Sequence, residues 1–161
     1  MLVRQLTNAD ATSFRALRLA GLKAHPDAFG SSWEEESEQT LSWFADTLRD
    51  CYVTGCEKGS ALVGIAGFVR SERLKTKHRG TLWGMYVAPE ARGQGVGAAL
   101  VQQIIGHAKN TVEELNLTVA AQNLSALKLY ESMGFVRIGL DPRALKIAGA
   151  YVDEVSMRLV F

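Results

Sequence analysis

The chain has 161 residues, 47% of them hydrophobic and 22% charged, which is enough for one well-filled core and too few for two. A single globular domain spanning residues 1–161 is therefore expected. A formal net charge of +1 sets up no field able to steer nucleic acid or an anionic membrane surface, which excludes partners held by bulk charge.

Cys51 and Cys56 are the only cysteines, and their spacing in a strand-like run matches neither a redox Cys-x-x-Cys nor a zinc set. They read as reduced thiols of a cytoplasmic protein, with no metal expected. No segment approaches the roughly 18 apolar residues that span a bilayer. The N-terminal Met1-Leu2-Val3-Arg4-Gln5-Leu6 has no apolar stretch behind its basic residue, so neither an anchor nor a targeting signal is expected.

In chain order, Leu2 to Leu6 alternates as a short strand, and Thr7-Asn8-Ala9-Asp10 offers caps for a helix striped by Phe14, Leu17 and Leu22 and stopped at His25-Pro26. After a loop from Asp27 to Ser31, Ser32 and Glu35 form a capping box. The helix they start is expected to run, with a break near Gln39-Thr40, through Leu41, Phe44 and Leu48. Cys51–Cys56 and Ala61–Arg70 are strands joined by a hairpin turn at Gly59. The basic loop Ser71 to Arg79 reads as a solvated connection, with a functional role left open. An apolar strand, Thr81 to Val87, follows and stops at Pro89; a helix from about Gly95 to Asn110 carries Val96, Leu100, Ile104 and Ala108 on one face. Leu115 to Ala121 is the next strand, expected to lie parallel to Thr81–Val87 because a helix connects the two. Asn123 caps a helix on which Ala126, Tyr130 and Met133 share a face, and Gly134 ends it. Phe135–Leu140 and Val155–Phe161 are the last strands, and Asp141 to Ala150, with Pro142 and Gly149, is expected to be a loop. No repeat, linker or low-complexity segment interrupts the chain. The fold class expected is α/β with a mixed sheet.

The chemistry concentrates where the strand at Thr81–Val87 turns into the helix. Arg92-Gly93-Gln94-Gly95-Val96-Gly97 places glycines at every second position just where a helix begins, with its unpaired N–H donors and partial positive charge. That is an anion site. Arg92 adds a full charge beside it, so a phosphorylated guest is expected. The relaxed dinucleotide fingerprint Gly93-x-Gly95-x-x-Ala98 fails on context: Ala88-Pro89-Glu90-Ala91 separates it from its strand, and the next strand ends in Ala120-Ala121-Gln122 instead of an acid. No Gly-Lys-Ser/Thr follows a glycine loop, which excludes a P-loop.

Taken together, Arg92-x-x-Gly95-x-Gly97 and Asn123-x-x-Ala126-x-x-Leu129-Tyr130-Glu131-x-x-Gly134-Phe135 resemble the GNAT superfamily of acetyl-CoA-dependent N-acetyltransferases. The likeness covers Gly80 to Phe161; the N-terminal half agrees in element order only. It implies a mostly antiparallel central sheet with a splayed parallel strand pair and about four helices. It also implies acetyl-CoA as cosubstrate, with its pyrophosphate on the backbone of Arg92, Gly93, Gln94, Gly95, Val96 and Gly97 and its pantetheine arm along Met85, Tyr86 and Val87. An amide of that edge would polarise the thioester carbonyl. Tyr130 is implied as the general acid for the departing thiolate, with a core aromatic as the plain alternative. Asn123 is either a coenzyme contact or a helix cap, and Ser125 is a possible further hydrogen bond to the coenzyme.

The base that takes a proton from the acceptor amine is left open among Glu34, Glu35, His78 and water, since Thr81 and Leu82 stand where some relatives carry a glutamate. For Glu34-Glu35-Glu36 the plain reading is a helix-dipole complement on a solvated surface. Trp33, Phe29 and Trp83 either line the acceptor pocket or belong to the core. The expected partners are acetyl-CoA and an amine of a small molecule, a protein N-terminus or a lysine, with no nucleic acid, no membrane and a homodimer left open. The alternative function is a non-catalytic acyl-CoA-binding regulatory module.

Overall fold

Each apolar run of the sequence becomes a strand or the inner stripe of a helix in the computed structural model, which describes residues 1–161. The elements are β1 (Leu2–Gln5), α1 (Ala11–Ala24), α2 (Trp33–Ser37), α3 (Leu41–Asp50), β2 (Tyr52–Lys58), β3 (Ala61–Arg70), β4 (Arg79–Val87), α4 (Val96–Ala108), β5 (Glu114–Ala120), α5 (Leu124–Ser132), β6 (Val136–Ile147) and β7 (Ala150–Val160). One seven-stranded sheet runs in the order β1-β2-β3-β4-β5-β7-β6. Only β4 and β5 pair in parallel, so this is the mixed α/β sheet that the element order implied. No helix is long and apolar enough to cross a membrane.

The sheet separates two cores. One gathers Leu100, Ile104, Leu115, Leu127 and Met157 under α4 and α5. The other gathers Phe14, Leu22, Phe44, Val53 and Ile65 under α1 and α3. The helix expected from Ser32 to Leu48 divides at its anticipated break, because Thr40 accepts a hydrogen bond from the Trp43 N–H at 3.2 Å and so caps a new helix. Ser32 and Glu35 form the capping box that starts the shorter one.

The segment from Asp141 to Ala150 is not the loop expected from Pro142 and Gly149. β6 continues to Ile147 and returns directly into β7. Pro142 is tolerated because β6 is the sheet edge and its register slips between Asp141 and Leu145. The actual turn is two residues long, with Ala148 and Gly149 at φ +48° and +82°, the geometry that joins twisted strands most tightly.

What positions the site is an irregularity in β4. Between the pairs Ile65↔Tyr86 and Gly67↔Trp83, β4 places Gly84 and Met85 against the single residue Ala66. This is a bulge, and Gly84 adopts φ +63° to make it. Upstream of it, β4 pairs with β5 only through Arg79, Gly80 and Thr81. Beyond Thr81 the two parallel strands part, which leaves a cleft with the free β4 edge on one side.

Under the bulge lies a buried ion pair. Arg18 on α1 donates from Nε and Nη2 to Glu36 on α2, both at 2.6 Å, and both side chains are 7% exposed. The guanidinium also faces the rings of Trp83 and Phe29. Of the three consecutive glutamates, Glu34 and Glu35 are solvated and Glu36 is not. Glu36→Ala should lower unfolding free energy by about 3–5 kcal/mol, because it strands a buried cation. Urea denaturation checks this, and an unchanged midpoint would show that the pair is not buried in solution.

Candidate active site

Two cavities follow one another along the cleft between β4 and β5. The first, about 650 Å³, is lined by Met85, Tyr86 and Val87 on β4, by Arg92, Gly93, Gly95, Val96 and Gly97, and by Asn123, Ser125 and Tyr130 on the far wall. The second, about 570 Å³, begins at Gly84 and runs back past Trp83 and Thr81, with Asn116 and Thr118 of β5 and Glu154 and Ser156 of β7 opposite. Ala28 borders both, so they meet at Gly84–Met85. Each lies within the range of pockets that hold small molecules.

The first cavity is built for an anion at one end. Gly93 and Gly95 sit at φ +70° and +78°, a conformation that side chains resist. It turns the chain so that Gly95 becomes the N-cap of α4 with no side chain occupying the first-turn amides. Gly97 serves closeness instead: a Cβ there would stand 3.1 Å from Met85 Cε and 3.2 Å from Leu129 Cδ2. Arg92 donates from Nε to the Val87 carbonyl at 3.0 Å, and its Nη2 lies 3.0 Å from His25 Nε2. Its charge is thereby fixed at the cavity mouth. His25, at the end of α1, was not singled out from the sequence, and only the fold brings it here.

Gln94 does not line the cavity. Its side chain donates to the Glu90 carbonyl and accepts from Lys58 Nζ, both at 2.8 Å, so it braces the loop from outside. Asn123 accepts from the Ala126 N–H at 3.2 Å and the Ser125 hydroxyl at 3.1 Å, the helix-capping role, while both residues also face the cavity.

Tyr130 is at once core and wall. It is 5% exposed, and its ring meets Phe135 edge-on at 5.7 Å. Burial pushes its phenol well above the ordinary tyrosine range. The group therefore holds its proton throughout the physiological range.

The expected bases lie elsewhere. Glu35 is engaged with Ser32, and Glu34 borders a separate cavity with Trp33 and Lys146. His78 borders neither of the two cleft cavities, and its carbonyl accepts from the Glu113 N–H at 2.8 Å. Phe29 and Trp83 line the second cavity, whereas Trp33 does not. In the basic loop, Arg73, Lys75 and Lys77 are exposed, while Arg79 turns back to Glu114 at 2.7 Å. Glu154 is the one carboxylate bordering the second cavity. The alternation of Val155, Met157 and Leu159 could have placed it on the opposite face, but not what it faces across the sheet.

Comparison with known proteins identifies the family and the fold. The model of the acetyltransferase (GNAT) family matches residues 19–135. The chain is 34% identical over 107 residues to N-alpha-acetyltransferase RimI of Mycobacterium tuberculosis, covering 66% of this chain and 65% of that protein, so it spans slightly less than two thirds of that relative. An acetyltransferase of the GNAT family from Streptococcus pneumoniae superposes with a TM-score of 0.89 at 22% identity, over 99% of both chains. A GNAT superfamily phosphinothricin acetyltransferase from Sinorhizobium meliloti, solved in complex with acetyl-CoA, superposes at 0.84 with 20% identity, over 99% of this chain and 88% of that one. With the family model covering well over half of its length, the chain belongs to the GNAT family of acetyltransferases.

Proposed function

We propose that this protein is an acetyl-CoA-dependent N-acetyltransferase that moves the acetyl group directly from the thioester to a primary amine. The observation that carries the reading is the continuity of the cleft: an anion-binding loop, a free strand edge, a buried phenol and a second cavity follow in sequence. The amides from Arg92 to Gly97 would hold the pyrophosphate, and the β4 edge at Met85, Tyr86 and Val87 would pair with the pantetheine arm. The acetyl group then lies where the cavities meet, within reach of an amine entering from the second.

In the reaction, the amine nitrogen bonds to the thioester carbon, a backbone N–H of the β4 bulge steadies the oxyanion, and the carbon–sulfur bond breaks. Tyr130 supplies the proton to the leaving thiolate and recovers one from the new amide nitrogen. No covalent enzyme intermediate is required. The N-alpha specificity in the name of the tuberculosis relative makes a peptide N-terminus a suitable first acceptor to try. The free thiols of Cys51 and Cys56 suit a reducing cytoplasm.

Coenzyme A should stabilise the protein and NAD should not. At a concentration 100 times Kd, the shift is about 2.7 kcal/mol, a rise in melting temperature of about 5–10 °C for a chain of this size. A thermal-shift titration with each ligand measures it, and stabilisation by NAD alone would restore the dinucleotide reading.

A further inference from the structure

We propose that Glu154 takes the proton from the acceptor's ammonium group, and that the cavity around it selects amines with no carboxylate next to the nitrogen. This rests on the acetyltransferase reading and deepens it on the acceptor side.

The last β4–β5 pair is Thr81↔Asn116, and four residues further along each strand stand Met85 and Ala120. Ala120 pairs with Glu154, so Glu154 lies one strand, about 5 Å, beyond β5 at the level where the two cavities meet. Val155 and Met157 are buried in the core beneath α4 and α5. Glu154 and Ser156 therefore project to the opposite face, into the second cavity.

No arginine or lysine pairs with Glu154. The groups acting on it are its own burial, Asp141 across on β6 and the Thr118 hydroxyl on β5; the first two push its carboxyl above the ordinary glutamate range and the third opposes them. A half-buried carboxylate without a cation is completed by a substrate ammonium. The same environment makes it a stronger proton acceptor than an exposed glutamate.

The cavity's two arginines are unsuited to a carboxylate beside that ammonium. Arg18 is held by Glu36 through two hydrogen bonds; its remaining Nη1 has no hydrogen-bond partner but is closed off from solvent, against Gly84. Arg79 is paired with Glu114, and its Nη2 reaches as far as Asn116 Oδ1 at 3.4 Å, four residues before Ala120 on β5 and about 13 Å along the strand from the level of Glu154. A free amino acid would bring its carboxylate within a few ångströms of Glu154 and meet no accessible cation, because the charge of Arg18 is balanced by Glu36 and its third nitrogen is shut off from the cavity. A peptide N-terminus or a simple alkylamine brings only the positive charge.

One N–H bond of R–NH3+ breaks and its proton goes to the Glu154 carboxylate, which frees the lone pair that attacks the thioester. The resulting carboxylic acid returns the proton to water after product leaves.

The test uses the full chain with acetyl-CoA and three acceptors: a tripeptide amide with a free N-terminus, butylamine, and the free amino acid matching the peptide's first residue. Thiol release and product mass are followed from pH 6 to 9. The wild type should prefer the tripeptide amide or butylamine to the free amino acid by at least about 100-fold in kcat/KM. Glu154→Gln should lower kcat/KM by about 10²- to 10⁴-fold and lose the limb in which rate rises with pH, with calorimetric acetyl-CoA affinity unchanged. Glu154→Asp should restore the limb at reduced rate, which a merely structural role would not produce. Retained activity with an unchanged limb in the Gln variant, or equal use of the free amino acid, overturns the proposal alone. Failure of the wild type to bind acetyl-CoA overturns the acetyltransferase reading and this one with it.

Discussion

Gly95→Asp is expected to weaken coenzyme A binding by about 10²- to 10³-fold while the protein remains folded. A Cβ at Gly95 would meet no atom within 4 Å, so the substitution creates no clash. Its only intrinsic cost is the left-handed backbone at φ +78°, which aspartate tolerates better than most residues. As the residue before the first turn of α4, aspartate is also a favourable N-cap: its carboxylate would accept from the amides that the pyrophosphate needs. The variant thus fills the anion site with an anion of its own. A second negative charge about 4 Å away costs about 4 kcal/mol at a partly screened site, which is about a thousandfold in affinity. Calorimetry with acetyl-CoA, paired with a melting curve, reads both halves of the expectation. Unchanged affinity in a folded variant would remove the phosphate assignment from the loop.

That loop was legible in the sequence because its signals are local. An apolar run, a proline stop and glycines before a striped helix each act within a few residues, and β4, the turn and α4 formed where those signals put them. The opposite side of the site was hidden because its residues become neighbours only through strand pairing. Glu154 reaches the cleft by its register with Ala120, more than thirty positions away in the chain, and nothing adjacent to it marks it as different from a solvated strand residue. Arg18 and Glu36 failed to stand out for a related reason. Charged residues on short amphipathic helices are ordinarily exposed, and only the packing of α1 and α2 over the Gly84 bulge buries this pair. The extended β6 was concealed by Pro142, whose effect depends on whether its strand is central or at the edge.

The two sides of the cleft also differ in what they require of the protein. The half proposed to hold coenzyme A is backbone chemistry, made by left-handed glycines and a free strand edge, so its residue types are recognisable wherever the motif occurs. The half proposed to take the acceptor is side-chain chemistry, set by elements that meet only in space, among them the loop after α1, the bulged stretch of β4, β5 and the outward face of β7. Coenzyme choice can therefore be read from a short motif, while acceptor choice needs the assembled cavity and the charge balance within it.

Tyr130→Phe should lower turnover by about 10²- to 10⁴-fold at saturating acetyl-CoA, the usual worth of a positioned proton donor. The structure makes the substitution a clean one. No side chain of the protein is hydrogen-bonded to the phenol, and burial alone accounts for its raised pKa, so removing the hydroxyl orphans no partner. The ring keeps its edge contact with Phe135 and its place in the core, so melting temperature should shift by no more than a few degrees. The sign of the pH dependence follows from the direction of the shift. An acid works below its pKa, and because burial raises this one above the ordinary value of about 10, the wild-type rate should show no loss from Tyr130 deprotonation between pH 6 and 9. A falling alkaline limb in that window would have to come from another group. If Tyr130 is only a core aromatic, the Phe variant keeps its rate, and retention of more than about half the activity at unchanged coenzyme affinity would end the acid assignment. A loss confined to kcat, with KM for the amine and binding of acetyl-CoA both preserved, places the hydroxyl in the transition state and nowhere else.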